Sequence, residues 1–200
     1  MLDKATKKEL QNVIRRLSYV CKYYTQHIAA SADVCRTTYP LSDGIRGFGF
    51  IQSSNYDELV YKFTQLYNAI RSKSDRINEH IKFLDIGCGI GNIVLLASVA
   101  GFYADGLEYN SGIYKVAKQV CKYQMQIFRG DMRKFRHYKE YDVLHYYQPI
   151  SNGPEMEKFA YKLAKDMKPG AYVICNGSYE GFHGSKNFRH VMDGVYKKEK

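Results

Sequence analysis

Three carboxylates and one glycine-rich turn hold most of the chemical potential of this chain. Asp85 is followed by Gly87, Gly89 and Gly91 in the run IKFLDIGCGIGN, residues 81–92. Glycines so spaced make a tight turn whose bare backbone lets a ligand approach closely. The N–H groups of a helix opening behind it then face that ligand. The spacing is G-x-G-x-G rather than the G-x-G-x-x-G of a dinucleotide fingerprint, and an acid precedes it. An acid there repels a pyrophosphate but serves a ligand bearing an ammonium or sulfonium charge.

S-adenosylmethionine (SAM) meets that requirement better than NAD does. Two more acids support the reading. Glu108, in GLEYN, lies about 20 residues beyond the turn, where a carboxylate can accept from both hydroxyls of a ribose. Asp131, in FRGDMRKF, is placed to accept from an adenine amino group. Met132 beside it offers a backbone N–H to the ring edge and a thioether to the ring face. Each acid alone is more often a helix cap than a ligand, and Asp131 in particular could simply cap the turn that follows it. Their strength is collective, because each falls at the carboxyl end of a successive strand, where open parallel sheets bind ligands.

Those strands follow from the alternation of apolar runs and helical periods after residue 80, which predicts a parallel sheet covered on both faces. Strands are expected near 81–86, 102–107, 125–129, 141–147 and 171–176, and helices near 91–100, 111–122 and 154–168. Asn187–Val191 and Val195–Lys198, around Met192-Asp193-Gly194, read as a closing hairpin. Ahead of the sheet, Thr6-x-x-Glu9 resembles a capping box opening a helix to about Ala30, and Ser54 to about Ser72 form a second helix. Residues 37–53, with Pro40, Gly44, Gly47 and Gly49, read as loop. Residues 1–75 are thus expected as a helical N-terminal cap and residues 76–200 as the ligand-binding domain.

The composition narrows the function classes. The hydrophobic share of 45% suits a globular fold, and the formal charge of +10 is spread along the chain. That charge favours polyanionic partners such as nucleic acid without identifying one. Five cysteines form no C-x-x-C pair and the histidines do not cluster with them, so neither a disulfide framework nor a metal site is indicated. The charged N-terminus is unlike a signal peptide and no apolar run reaches ~20 residues, so a cytoplasmic protein without membrane attachment is expected.

D-x-G-x-G-x-G, an acid ending the second strand and G-D-M after the third together resemble the class I SAM-dependent methyltransferases. YDVLHYYQPI and MKPGAYVI resemble that family's fourth strand and the turn before its fifth. The resemblance covers about residues 80–177. It implies a Rossmann-like α/β sheet, mostly parallel with a C-terminal antiparallel hairpin, and SAM as cofactor. Asp85, Gly87, Cys88 and Gly89 would hold its methionine part, Glu108 its ribose, and Asp131 with Met132 its adenine. Asn92 would open and cap the first helix. The helix before the hairpin is missing or short, which leaves the substrate side less covered than is usual in the family. Tyr147-Gln148-Pro149-Ile150 replaces the Asn/Asp-Pro-Pro-aromatic run of amino-methylating DNA enzymes, so Tyr146, Tyr147 and Gln148 are the candidates to line the methyl-transfer site. His145 reads as strand packing and Cys88 as a space-filler. The methyl acceptor, whether protein, RNA or small molecule, is not legible. A SAM-binding scaffold without its own catalysis is the competing reading.

Overall fold

The computed structural model describes residues 38–40, 46–48, 56–72, 80–121, 125–147, 149–150, 153–176 and 181–200. Its centre is a seven-stranded sheet. The chain order is β1 (Thr38–Pro40), β2 (Arg46–Phe48), helix α1 (Tyr56–Arg71), β3 (Lys82–Ile86), α2 (Asn92–Val99), β4 (Tyr103–Glu108) and α3 (Ser111–Val120). There follow β5 (Ile127–Arg129), a single 3₁₀ turn (Tyr138–Glu140), β6 (Val143–Tyr147), α4 (Gly153–Asp166), β7 (Tyr172–Asn176), β8 (Phe188–Met192) and β9 (Val195–Lys198). Across the sheet the order is β5-β4-β3-β6-β7-β9-β8. The first five of these run parallel, and β9 inserts antiparallel between β7 and β8. Strand order reverses between β3 and β6, which opens a crevice at their carboxyl ends.

Each face of the sheet has its own core. In α1, Leu59, Phe63 and Leu66 recur at helical spacing, and all three are buried with Phe83, Val94 and Phe102. The short helix α2 is buried along Asn92, Ile93, Val94, Leu96 and Ala97, so it is held by packing rather than by amphipathic balance. The helix of the segment 1–75 that the structure describes is therefore a layer of the same core as the sheet. On the other face Met156, Phe159, Ala160 and Leu163 of α4 pack on Leu84, Ile86, Leu144 and Tyr146.

One expectation changes here. Within 37–53, Thr38–Pro40 and Arg46–Phe48 pair antiparallel, Thr38 opposite Phe48 and Pro40 opposite Arg46. Thr38, Tyr39 and Phe48 are β-formers by type, and Pro40 sits at a strand end where its missing N–H is tolerated. The helix assigned to Thr6–Ala30 lies outside the described residues. Before β8, residues 181–187 form turns, and Phe182 inserts against Tyr146, Phe188 and Tyr196 where a longer helix would otherwise cover the sheet. Among the described residues no helix is long and apolar enough to cross a membrane.

A lysine ties the last strand to α4. Lys198 Nζ donates to the carbonyls of Ala164 (2.8 Å), Lys165 (3.0 Å) and Met167 (2.8 Å). These belong to the end of α4, whose last carbonyls lack helical partners. Lys198→Met would leave them without that donor. A loss of about 2 kcal/mol is expected, read as a lower urea midpoint with an unchanged m-value.

Candidate functional site

The glycine turn lies over the carboxyl ends of β3 and β4, and backbone bonds fix it there. The N–H groups of Gly87 and Cys88 both donate to the Leu107 carbonyl, at 2.8 and 3.0 Å. Glu108 braces the far side: Oε2 accepts from Gly89 N–H at 3.0 Å and Oε1 from Asn110 N–H at 2.8 Å. Glu108 is nearly buried, so its carboxylate couples the turn to the start of α3, which Asn110 caps through Gly112 and Ile113. Two of the glycines are required sterically. A Cβ on Gly87 (φ +76°) would fall 2.6 Å from Pro149 Cβ, and one on Gly91 (φ +89°) 2.3 Å from Cys121 Sγ.

Asp85 lies behind the turn, 2% exposed. Its Oδ1 accepts from His145 Nδ1 at 2.7 Å, and the two residues are direct partners in the parallel register of β3 and β6. Because a carboxylate only accepts, this contact fixes the tautomer with hydrogen on Nδ1. His145 Nε2 is buried without a hydrogen-bond partner among the described residues. The imidazole is flanked by Phe63 and Phe83. The expected strand packing of His145 holds, with the ring buried in the core, and the structure adds its hydrogen bond to the acid of the glycine motif. Sequence reasoning missed it because 60 positions separate the pair; only the strand register brings them together.

The negative charge at the turn registers on Cys88. Burial pushes its thiol well above the ordinary cysteine value, and the charges of Asp85 and Glu108 push it further in the same direction. Cys88 is therefore a buried neutral thiol, consistent with filling space between the turn and Gly106. Cys121, under Gly91, is pushed up to about 12 by burial and by Asp85.

At the third corner, Asp131 is engaged by its neighbour. Oδ1 accepts from Arg133 N–H (2.9 Å) and Nε (3.0 Å), and Oδ2 from Nη2 (2.7 Å). Its carbonyl accepts from the N–H groups of Lys134 and Phe135. The turn-capping role is real, and Arg133 stands where only the carboxylate was expected. Burial acts to raise the Asp131 pKa, but the hydrogen bonds and charge of Arg133, with Lys134, outweigh it and hold it below the usual value. A depressed carboxyl contributes stability above its unfolded pKa of about 3.9, and that contribution is lost as pH falls through the lower folded value. Arg133→Ala should therefore flatten the acid limb of a plot of urea midpoint against pH below about 4. Met132 is buried beside Leu107 and Tyr138, and its carbonyl accepts from the Tyr138 hydroxyl at 2.6 Å.

Other assignments shift. Asn92 does not cap α2: the cap residue is Gly91 in a left-handed conformation with no side-chain cap bond, and Asn92 is already helical and buried. Gly91 turns the chain into the helix, so the position that a capping side chain would occupy has none. Tyr146 is 0% exposed and packs edge-on to Phe159, on the α4 face of the sheet. Its side chain does not line an open site. Tyr147, one residue on, points to the opposite face and is 45% exposed. Gln148 lies outside the described residues.

No family model and no curated protein matches this chain. Solved structures do. An RNA methyltransferase from Salinibacter ruber, in complex with S-adenosyl-L-homocysteine, is 17% identical over 74% of this chain and 92% of its own, with a TM-score of 0.51. The SAM-bound amino pentose methyltransferase CalS10 from Micromonospora echinaspora is 18% identical over 66% of this chain and 53% of its own, with a TM-score of 0.50. This chain spans about half the length of CalS10. With the strand order above, these similarities establish a class I SAM-dependent methyltransferase fold, a Rossmann-like α/β sheet ending in an antiparallel hairpin.

Proposed function

We propose that the chain is a SAM-dependent methyltransferase whose cofactor lies across the glycine turn, between Glu108 and the Asp131 corner. One observation carries this: two buried carboxylates, Asp85 and Glu108, flank a turn of left-handed glycines at the carboxyl ends of adjacent parallel strands. Their combined charge opposes a pyrophosphate and favours a ligand that presents a cation to the turn. The residues fit such a ligand. Gly87 and Gly89 put no side chains of their own on the turn, and Pro149 packs against Gly87. Glu108 accepts from the N–H groups of Gly89 and Asn110, which holds its carboxylate at the carboxyl end of β4, where a ribose would lie. Asp85 acts from beneath, through its field and through the strand end that carries the turn. Asp131 and Met132 border the adenine position.

The bound cofactor supplies an activated methyl group on a sulfonium. The protein's part is alignment: it sets the acceptor in line with the methyl–sulfur bond and excludes water, and most of the acceleration comes from that geometry. Tyr147, exposed at the carboxyl end of β6, is the described residue best placed to border the acceptor. Tyr146 is withdrawn into the core.

Transfer of tritiated methyl from SAM into RNA, protein and metabolite fractions tests the proposal. Incorporation that falls at least tenfold in Glu108→Ala is expected. SAM binding with no incorporation into any fraction would favour a scaffold that keeps the pocket without the chemistry.

A further inference from the structure

A cavity lies between α4 and the segment that leads into β8. It has a volume of about 550 Å³ and is walled by Tyr161, Lys165, His183, Gly184, Asn187 and Lys200, with Phe188 and Lys198 also in its lining. Its lining includes no Asp or Glu side chain. The strand end that carries Lys198 pairs with the chain just before β7, so this cavity opens toward the amino ends of the parallel strands. The cofactor turn lies at their carboxyl ends.

Three features of the cavity bear on its ligand. Lys165 is exposed and makes no ion pair with any described residue. Tyr161 is 58% exposed, an aromatic face presented to solvent beside that charge. Within residues 183–200 there are five Lys or Arg (186, 189, 197, 198, 200) against two acids (193, 199), so the surroundings keep the positive sign. Lys198 does not swing out, because three carbonyls of α4 hold its ammonium; it sets the floor, and Lys165 is left for a ligand. A Cβ on Gly184 would meet nothing within 4 Å, so the wall there is open.

We infer that this cavity binds a nucleotide unit of a single-stranded nucleic acid, with phosphate on Lys165 and Lys200 and a base stacked on Tyr161. A volume of several hundred Å³ suits one small ligand or one nucleotide. A duplex presents its bases already stacked, whereas an unpaired base is free to lie on an exposed ring. The sign of the walls excludes an acidic lining for cations and gives a phosphate its counter-charges. This assignment is independent of methyl transfer: it holds or fails whether or not the glycine turn takes SAM.

Fluorescence anisotropy with a labelled single-stranded RNA of mixed sequence tests it, with single-stranded DNA, a duplex and adenosine monophosphate as further arms. Binding that weakens linearly on a log–log salt plot is expected, and Tyr161→Ala should weaken it about tenfold, the loss of one stacked base. Lys165→Gln should reduce the salt slope by about 0.7, one single-strand phosphate contact. Lys115→Glu with Lys118→Glu, on α3 across the sheet, should leave affinity unchanged. Circular dichroism melts of each variant separate lost binding from lost fold. Unchanged affinity in folded Tyr161→Ala and Lys165→Gln overturns the proposal. So does loss of binding in the α3 variant alone, or stronger binding of an acidic peptide than of any nucleic acid. Displacement of the RNA by adenosine monophosphate would assign the site to free nucleotides as well as strands, with the same chemistry.

Discussion

Gly91→Ala is expected to destabilise the fold by about 2–5 kcal/mol and to abolish cofactor binding at the turn. Two separate costs combine. The backbone at φ +89° lies in the left-handed region, where a side chain adds roughly 1–2 kcal/mol. The new methyl group would also fall 2.3 Å from Cys121 Sγ, and overpacking of that kind typically costs about 1–3 kcal/mol. Relief by moving Cys121 is limited, because that thiol is buried beside Ala117 and directed at the Gly91 carbonyl. The turn must then shift, and with it the N-terminus of α2. Gly91→Ala combined with Cys121→Ala separates the contributions. The double variant should recover the overpacking part in a urea melt and keep the backbone part.

The second large effect concerns the buried pair beneath the turn. Removing one partner of such a pair typically costs about 3–5 kcal/mol, because it leaves the other buried and uncompensated. Asp85→Leu and His145→Leu should each approach that loss, since both side chains are at most 3% exposed. The double variant should be far less destabilised than the sum, because apolar replacement of both partners is often close to neutral. Cofactor binding should behave differently. It depends on the charge of Asp85, so the double variant should regain stability without regaining affinity. Recovery of both together would assign the pair a purely architectural role.

Much of the site was legible in the sequence because its parts are local. The run from Ile81 to Asn92 places an acid, a turn and a helix start within twelve residues, and Glu108 ends β4 while Asp131 falls two residues past β5. What failed to show depends on which strands are neighbours and in what register. His145 faces Asp85 only because β6 lies beside β3 at that offset. The same parity sends Tyr146 into the core under Phe159 and turns Tyr147 outward, so two adjacent tyrosines that look equivalent in sequence have opposite fates. Asn92 looked like a cap because its residue type favours that position, yet the left-handed Gly91 takes the place. Lys198 closes the second strand of the expected hairpin, and its three carbonyl partners on α4 have no local signature.

Equilibrium binding of SAM by the full chain, followed by its thermal and urea stability, tests the central claim most directly. Saturable binding is expected, and at ~100 times the dissociation constant SAM should add about 2.7 kcal/mol to the unfolding free energy. NAD at the same concentration should add nothing, and Glu108→Ala should lose most of the SAM effect. If neither SAM nor S-adenosylhomocysteine stabilises the protein, or if NAD does so in their place, the assignment of the glycine turn is wrong.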